Sequence, residues 1–72
     1  MPLLFAPKDT DLRILSVRGE AKVNKHLASL GIVEGGLIRL LDDANGAAIC
    51  LVKESRLGLD HKVSMSIMVA VA

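Results

Sequence analysis

Seventy-two residues suffice for one domain with one modest core, and a domain of that size buries only about 60% of the surface its unfolded chain exposes. Charge is almost balanced, with 9 basic and 8 acidic residues and a net charge of +1, which is far from the basic stripe of a nucleic-acid binder. A single Phe with no Trp or Tyr removes the stacking platforms used on single strands, and no apolar run approaches the roughly 20 residues that span a bilayer.

Taken in chain order, Pro2 to Asp9 reads as an extended lead-in with a turn around Pro7-Lys8-Asp9. Leu12, Ile14 and Val17 mark a first strand that closes at Arg18-Gly19. From Ala21 to Leu30 the pattern becomes helical: Val23, Leu27 and Leu30 stand at i, i+4 and i+7 and share one face, while Lys22, Lys25, His26 and Ser29 point elsewhere. No Ser, Thr, Asp or Asn offers an N-cap before Ala21. Gly31 ends the helix, and Gly35-Gly36 lead into a second strand, Leu37 to Leu41, with Ile38 and Leu40 on one side and Arg39 on the other.

Asp42-Asp43-Ala44-Asn45-Gly46 reads as a turn, because Asn-Gly accepts positive φ and aspartate side chains favour turn hydrogen bonds. Ala47 to Lys53 is a third strand, Lys53-Glu54-Ser55 a tight reversal, and Arg56 to Leu59 a short fourth strand. Asp60 to Ser64 is expected to be one irregular or 3-10 turn. Met65 to Val71 closes the chain as a strand, with Met65, Ile67, Val69 and Val71 on one face. Five short strands with closely spaced turn signals predict an all-β fold, a small antiparallel barrel over residues 1–72 with one short helix at one end. A helix this short does not persist alone, so it must pack on the barrel.

Apolar residues make up 51% of the chain and mean hydropathy is +0.47, so aliphatic side chains must fill the core. The surplus favours self-association or docking to a partner, although burial inside the barrel accounts for most of it. Cys50 is the only cysteine, which fits a reducing cytoplasm. The opening Met1 to Pro7 lacks the basic start and longer apolar core of a secretory signal, so a soluble protein is expected.

Chemistry-bearing residues are sparse. His26, Cys50 and His61 are scattered single ligands where a structural zinc site wants four, so no metal or other cofactor is expected. Ser16, Ser29, Ser55, Ser64 and Ser66 have no His-plus-acid framework to activate a nucleophile. Gly31, Gly35 and Gly36 precede a strand with no Lys-Ser/Thr after them, so they do not form a phosphate loop. Arg39 and Arg56 read as outward strand residues. The expectation is a protein that is not an enzyme. Lys22, Lys25 and His26 form a small cationic patch beside the Leu30-Gly31 corner, suited to an acidic or polar partner surface; a solvated helix face is the ordinary alternative. The Asp42 to Gly46 turn is a second candidate surface.

From Pro2 to Val69 the chain resembles the FeoA family. The resemblance rests on Pro2-Leu3, on Gly19 closing the first strand, and on Lys25-His26-Leu27, Leu30-Gly31-Ile32 and Gly35 around the helix end. Arg56-Leu57-Gly58-Leu59 and Ile67-Met68-Val69 complete it. Lys25-His26 stand where arginines are usual, Glu34 where proline is, and Asp9 and Glu54 where glycine is common; lysine lacks the planar fork of arginine. The resemblance implies a five-stranded SH3-like antiparallel barrel with one inserted helix. It also implies a cytoplasmic accessory that docks on FeoB, the membrane GTPase of ferrous iron uptake, and reaches the inner membrane face through that partner. A similar SH3-like module ends the iron-dependent repressors of the DtxR type, which makes a metal-dependent regulatory system the alternative.

Overall fold

Strict alternation builds the centre of the fold: Leu12 and Ile14 of β1 (Asp11–Val17) point inward, as do Ile38 and Leu40 of β2 (Leu37–Ala44), while Arg13 and Leu37 are exposed on the outer face. The computed structural model describes residues 1–72. Between β1 and β2 lies α1 (Ala21–Ser29); β3 (Ala47–Val52), β4 (Ser55–Leu59), α2 (His61–Ser66) and β5 (Ile67–Val71) follow. The strands form one antiparallel sheet in the order β4-β3-β2-β1-β5. Register shifts between Ile14 and Ser16, and between Leu40 and Asp42, mark the bulges where β1 and β2 bend the sheet around the core.

β4 and β5 are the ends of the ladder, and closure is completed by the lead-in segment and α2. Met1 and Pro2 run along the outer edge of β5, where the Met1 ammonium donates to Val69 O at 3.0 Å and Val69 N donates to Met1 O at 2.7 Å. Leu3–Phe5 form one turn of 3-10 helix, and Asp9 N then reaches Leu40 O at 2.8 Å. Leu3 and Ala6 are buried from this segment, so the expected lead-in is also part of the core. Its apolar run has no period that separates an inward from an outward face, which hides that role in sequence.

Aliphatic side chains and Cys50 make up the hydrophobic core: Leu3, Leu12, Ile14, Leu27, Ile32, Ile38, Leu40, Val52, Leu59, Ile67 and Val69 are all buried, with Ala6 and Ala48 between them. Phe5, the one aromatic, is 65% exposed.

Three boundaries differ from the sequence expectation. The single inserted helix has a companion: Asp60 to Ser64 is not an irregular turn but opens α2, because Asp60 Oδ1 accepts from Val63 N at 2.8 Å and caps it. Buried Ser64 sets its hydroxyl against Asp60 O and Leu59 O, at 2.7 and 3.1 Å. Met65 consequently lies in that helix and not in β5, and Val71 is exposed. Finally, Asp42 and Asp43 belong to β2, opposite Ile49 and Ala48, and the turn is only Asn45-Gly46 with φ of 52° and 80°. That pair of positive angles gives the two-residue hairpin turn whose twist matches the strands.

The second tight reversal uses residues poorly suited to it. Lys53 and Glu54 both take positive φ, 48° and 70°, although each carries a Cβ that clashes in this region. Glu54→Gly should therefore raise stability by about 0.5–1 kcal/mol, the relieved strain being partly offset by glycine's greater freedom when unfolded. A thermal melt checks this: the midpoint should rise by several degrees, and an unchanged or lower midpoint would mean the turn stores no such strain.

Candidate functional site

α1 is anchored by few contacts, and that leaves most of its surface free. Leu27 is its one buried residue; Val23 packs against the core while only half-buried, and Leu30, the C-cap, is also half-buried. Asn24 Nδ2 donates to Val17 O at 3.2 Å, which ties the helix to the end of β1. Glu20 occupies the N-cap position with no side-chain cap bond, as the absence of a capping residue predicts. Lys22, Lys25 and His26 are all exposed, so the cations stand on the outward side of the helix.

The helix ends at Gly31, whose N–H donates to Ala28 O at 3.0 Å and whose φ is +95°. Ile32 then turns into the core, with its N–H on Leu27 O at 2.9 Å. The loop from Gly31 to Gly36 runs back over β1, where Gly35 N donates to Ile14 O at 2.8 Å and Arg13 Nη1 donates to Gly35 O at 2.9 Å. Between this loop and the β3–β4 turn is an open cleft of about 660 Å³, lined by Gly31, Val33, Gly35, Leu37 and Lys53 among others. Val33 and Leu37 are 42% and 51% exposed. Lys53 stretches its aliphatic stem over Gly31: a Cβ built there would meet Lys53 Cδ and Cε at 3.3 Å. The Leu30-Gly31 corner thus joins the cationic helix face to a cleft that carries Val33 and Leu37 on its rim with one cation, Lys53, and one anion, Glu34.

Sequence reasoning placed Lys22, Lys25, His26, Leu30 and Gly31 here but missed Val33, Leu37 and Lys53. Leu37 was within reach, because strand parity sets it with Arg39 on the outer face, opposite Ile38 and Leu40. Lys53 was not, since it comes to Gly31 only through the β3–β4 reversal.

The second surface is drawn together by an ion cluster. Lys8 Nζ lies 2.9 Å from Asp43 Oδ1 and 3.4 Å from Asp42 Oδ1, while Asp42 Oδ1 also accepts from Asp43 N at 2.8 Å. The hydrogen bond from Lys8, reinforced by its charge, holds the Asp43 carboxyl below its ordinary value, and the same pair raises Lys8 above its own. The contribution of Asp43 is present above the ordinary carboxylate pKa and is lost as pH falls through the lowered one. These groups are exposed and salt-screened, so the cluster orients the lead-in more than it stabilises the fold.

Cys50, Ser64 and Ser66 are each engaged separately. Cys50 is buried on β3 with its thiol against Leu57 O, and burial pushes its pKa up to about 11. No three His, Cys, Asp or Glu side chains are grouped so as to hold a metal ion. Ser64 and Ser66 spend their hydroxyls on nearby backbone carbonyls, and Arg39 pairs with Asp11 at 2.6 Å. No helix is long and apolar enough to cross a membrane.

Comparison with known proteins adds the following. The family model for the FeoA domain matches residues 1–71. The solution structure of the FeoA protein from Chlorobium tepidum superposes with a TM-score of 0.88 at 22% identity, covering 99% of this chain and 70% of that one. A crystal structure of an iron uptake regulatory protein, FeoA, superposes with a TM-score of 0.83 at 21% identity, covering 99% and 95%. ScaR with bound Zn²⁺ superposes with a TM-score of 0.84 at 22% identity, and there all of this chain spans 37% of the neighbour. At these identities the structural likeness carries the SH3-like fold alone. No curated protein sequence matches the chain.

Proposed function

Because this chain belongs to the FeoA family, a family of iron transport, we propose that it is a cytoplasmic, non-enzymatic accessory that docks on the FeoB-type membrane GTPase. Protein–protein contact is the means of action, and the inner membrane face is reached through that partner. The carrying observation is the outward face of α1: Lys22, Lys25 and His26 stand exposed on a helix whose one buried residue is Leu27. They lead at Leu30-Gly31 into the cleft rimmed by Val33 and Leu37. A cationic helix face beside a recess with Val33 and Leu37 on its rim suits a partner surface that is acidic where it meets the helix and apolar where it meets the recess, since such complementarity steers encounter and fixes register.

Reversing charge with Lys22→Glu and Lys25→Glu together should weaken binding to the detergent-solubilised transporter about tenfold or more. The thermal midpoint should stay within a few degrees, because both side chains are exposed. Binding at full strength in a folded double variant would remove the helix face from the interface.

A second reading has one observation in its favour, the likeness to ScaR: the domain would serve as the SH3-like module of a DtxR-type, metal-dependent regulatory system. Affinity capture from solubilised membranes separates the two. Recovery of a large GTPase supports the transporter accessory, and repeated failure to recover one supports the regulator.

A further inference from the structure

At the tip of the β2–β3 hairpin a side-chain amide and a backbone nitrogen meet an imidazole brought in from α2. Asn45 is exposed at the turn, and Gly46, with no side chain to shield it, follows directly. The Gly46 N–H donates to no backbone carbonyl, so its nitrogen is not held in the ladder. Across from it, the first residue of α2 brings an imidazole in: His61 Nδ1 is 3.3 Å from where a Cβ on Gly46 would stand. His61 Cβ and Cγ lie 3.8 Å from the same point, so the ring edge that carries Nδ1 is the part turned toward the glycine.

We propose that Asn45 is a site of spontaneous deamidation, assisted by His61 as the base. The Gly46 nitrogen attacks Cγ of Asn45 as the imidazole accepts its proton, a five-membered imide closes, and Nδ2 leaves as ammonia carrying the proton that the imidazolium returns. Water then opens the imide at either carbonyl, giving aspartate or isoaspartate. No oxidant or cofactor is consumed. The net charge of the chain falls from +1 to zero, and a third carboxylate joins Asp42 and Asp43, which share the single cation Lys8. In the isoaspartyl product the main chain gains one methylene inside a turn that must close between Ala44 and Ala47, so the Asp42 to Gly46 surface changes in shape as well as charge. The inference stands independently of any docking role for α1.

The chain supplies its own control. It has two asparagines and no glutamine, and Asn24 lies in α1 followed by a lysine, with its side-chain oxygen buried. Trypsin cleaves after Arg39 and Lys53 and after Lys22 and Lys25, so the two sites fall in separate peptides. The full chain aged at neutral pH should show amide-to-acid conversion in the Asn45 peptide, largely as isoaspartate, and none at Asn24. In His61→Gln and His61→Ala, each verified as folded by its melt, conversion should slow about tenfold or more. An intact Asn45 in the aged wild-type chain would overturn the proposal, and so would an equal rate in the two folded variants.

Discussion

Leu12→Ala should destabilise the fold by about 2–5 kcal/mol, the usual cost of removing a buried leucine and leaving a cavity. Leu12 is fully buried near the start of β1, with Ile38 opposite it on β2 and Val71 on β5. Ladders on both sides hold β1 in register, so the neighbouring backbones cannot close over the void without breaking hydrogen bonds. A domain of this size has little margin, since total stabilities run about 5–15 kcal/mol and small cores sit low in that range. At about 4–8 °C per kcal/mol, the midpoint of a thermal melt should fall by at least about 8 °C. Leu12→Met keeps the volume and should cost less than about 1.5 kcal/mol, separating lost volume from altered shape. If alanine melts within a few degrees of the wild type, Leu12 is not part of a close-packed interior.

Gly31→Ala should cost about 1–3 kcal/mol, from two sources that act together. The backbone there has φ of +95°, where a Cβ is strained, and the added atom would stand 3.2 Å from Val52 Cγ1 and 3.3 Å from the Lys53 stem. Lys53 can swing away; Val52 is buried and cannot. Gly58→Ala is the matched control, because its Cβ would meet nothing within 4 Å and its φ is not in the positive range. The control should be neutral or slightly stabilising, as expected for a glycine replaced within a strand. Chemical unfolding of the two variants side by side is the check. Equal stabilities would show that the end of α1 tolerates a side chain and that the corner at Gly31 is loose.

The parts of this fold that could be read beforehand are those where one residue's chemistry has one structural meaning. Leu12 and Ile14 alternate with charged or exposed neighbours, Val23, Leu27 and Leu30 repeat at helical spacing, and Gly31 stops the helix, so β1, α1 and the entry to β2 were legible. Asn45-Gly46 fixed the hairpin in the same way. Where a residue serves two structures equally well, the reading failed. Asp60 suits a turn or an N-cap, and a six-residue helix is too short to reveal a period, so the sequence predicts only an irregular or 3-10 turn where α2 begins. Asp42 and Asp43 favour turns, yet the bulge after Leu40 carries them on as strand.

The candidate site divides along the same line. Exposure of Lys22, Lys25 and His26 followed from helix geometry alone. The cleft beside them did not, because it is assembled from the loop at Val33, the outer face of β2 at Leu37 and the β3–β4 turn at Lys53. Local pattern says which way a side chain faces on its own element; only the completed sheet says which distant side chains share a boundary.

The ring-free interior has a consequence of its own. Every buried core residue except Cys50 ends in methyl groups, while the sole phenyl lies out in solvent. No ring current arises inside to spread methyl signals apart, and no slow ring flips report breathing motions. The interior of this barrel is instead a continuous lattice of methyls, each a potential reporter on the neighbours it touches, so that a substitution within it registers first in the methyls beside it.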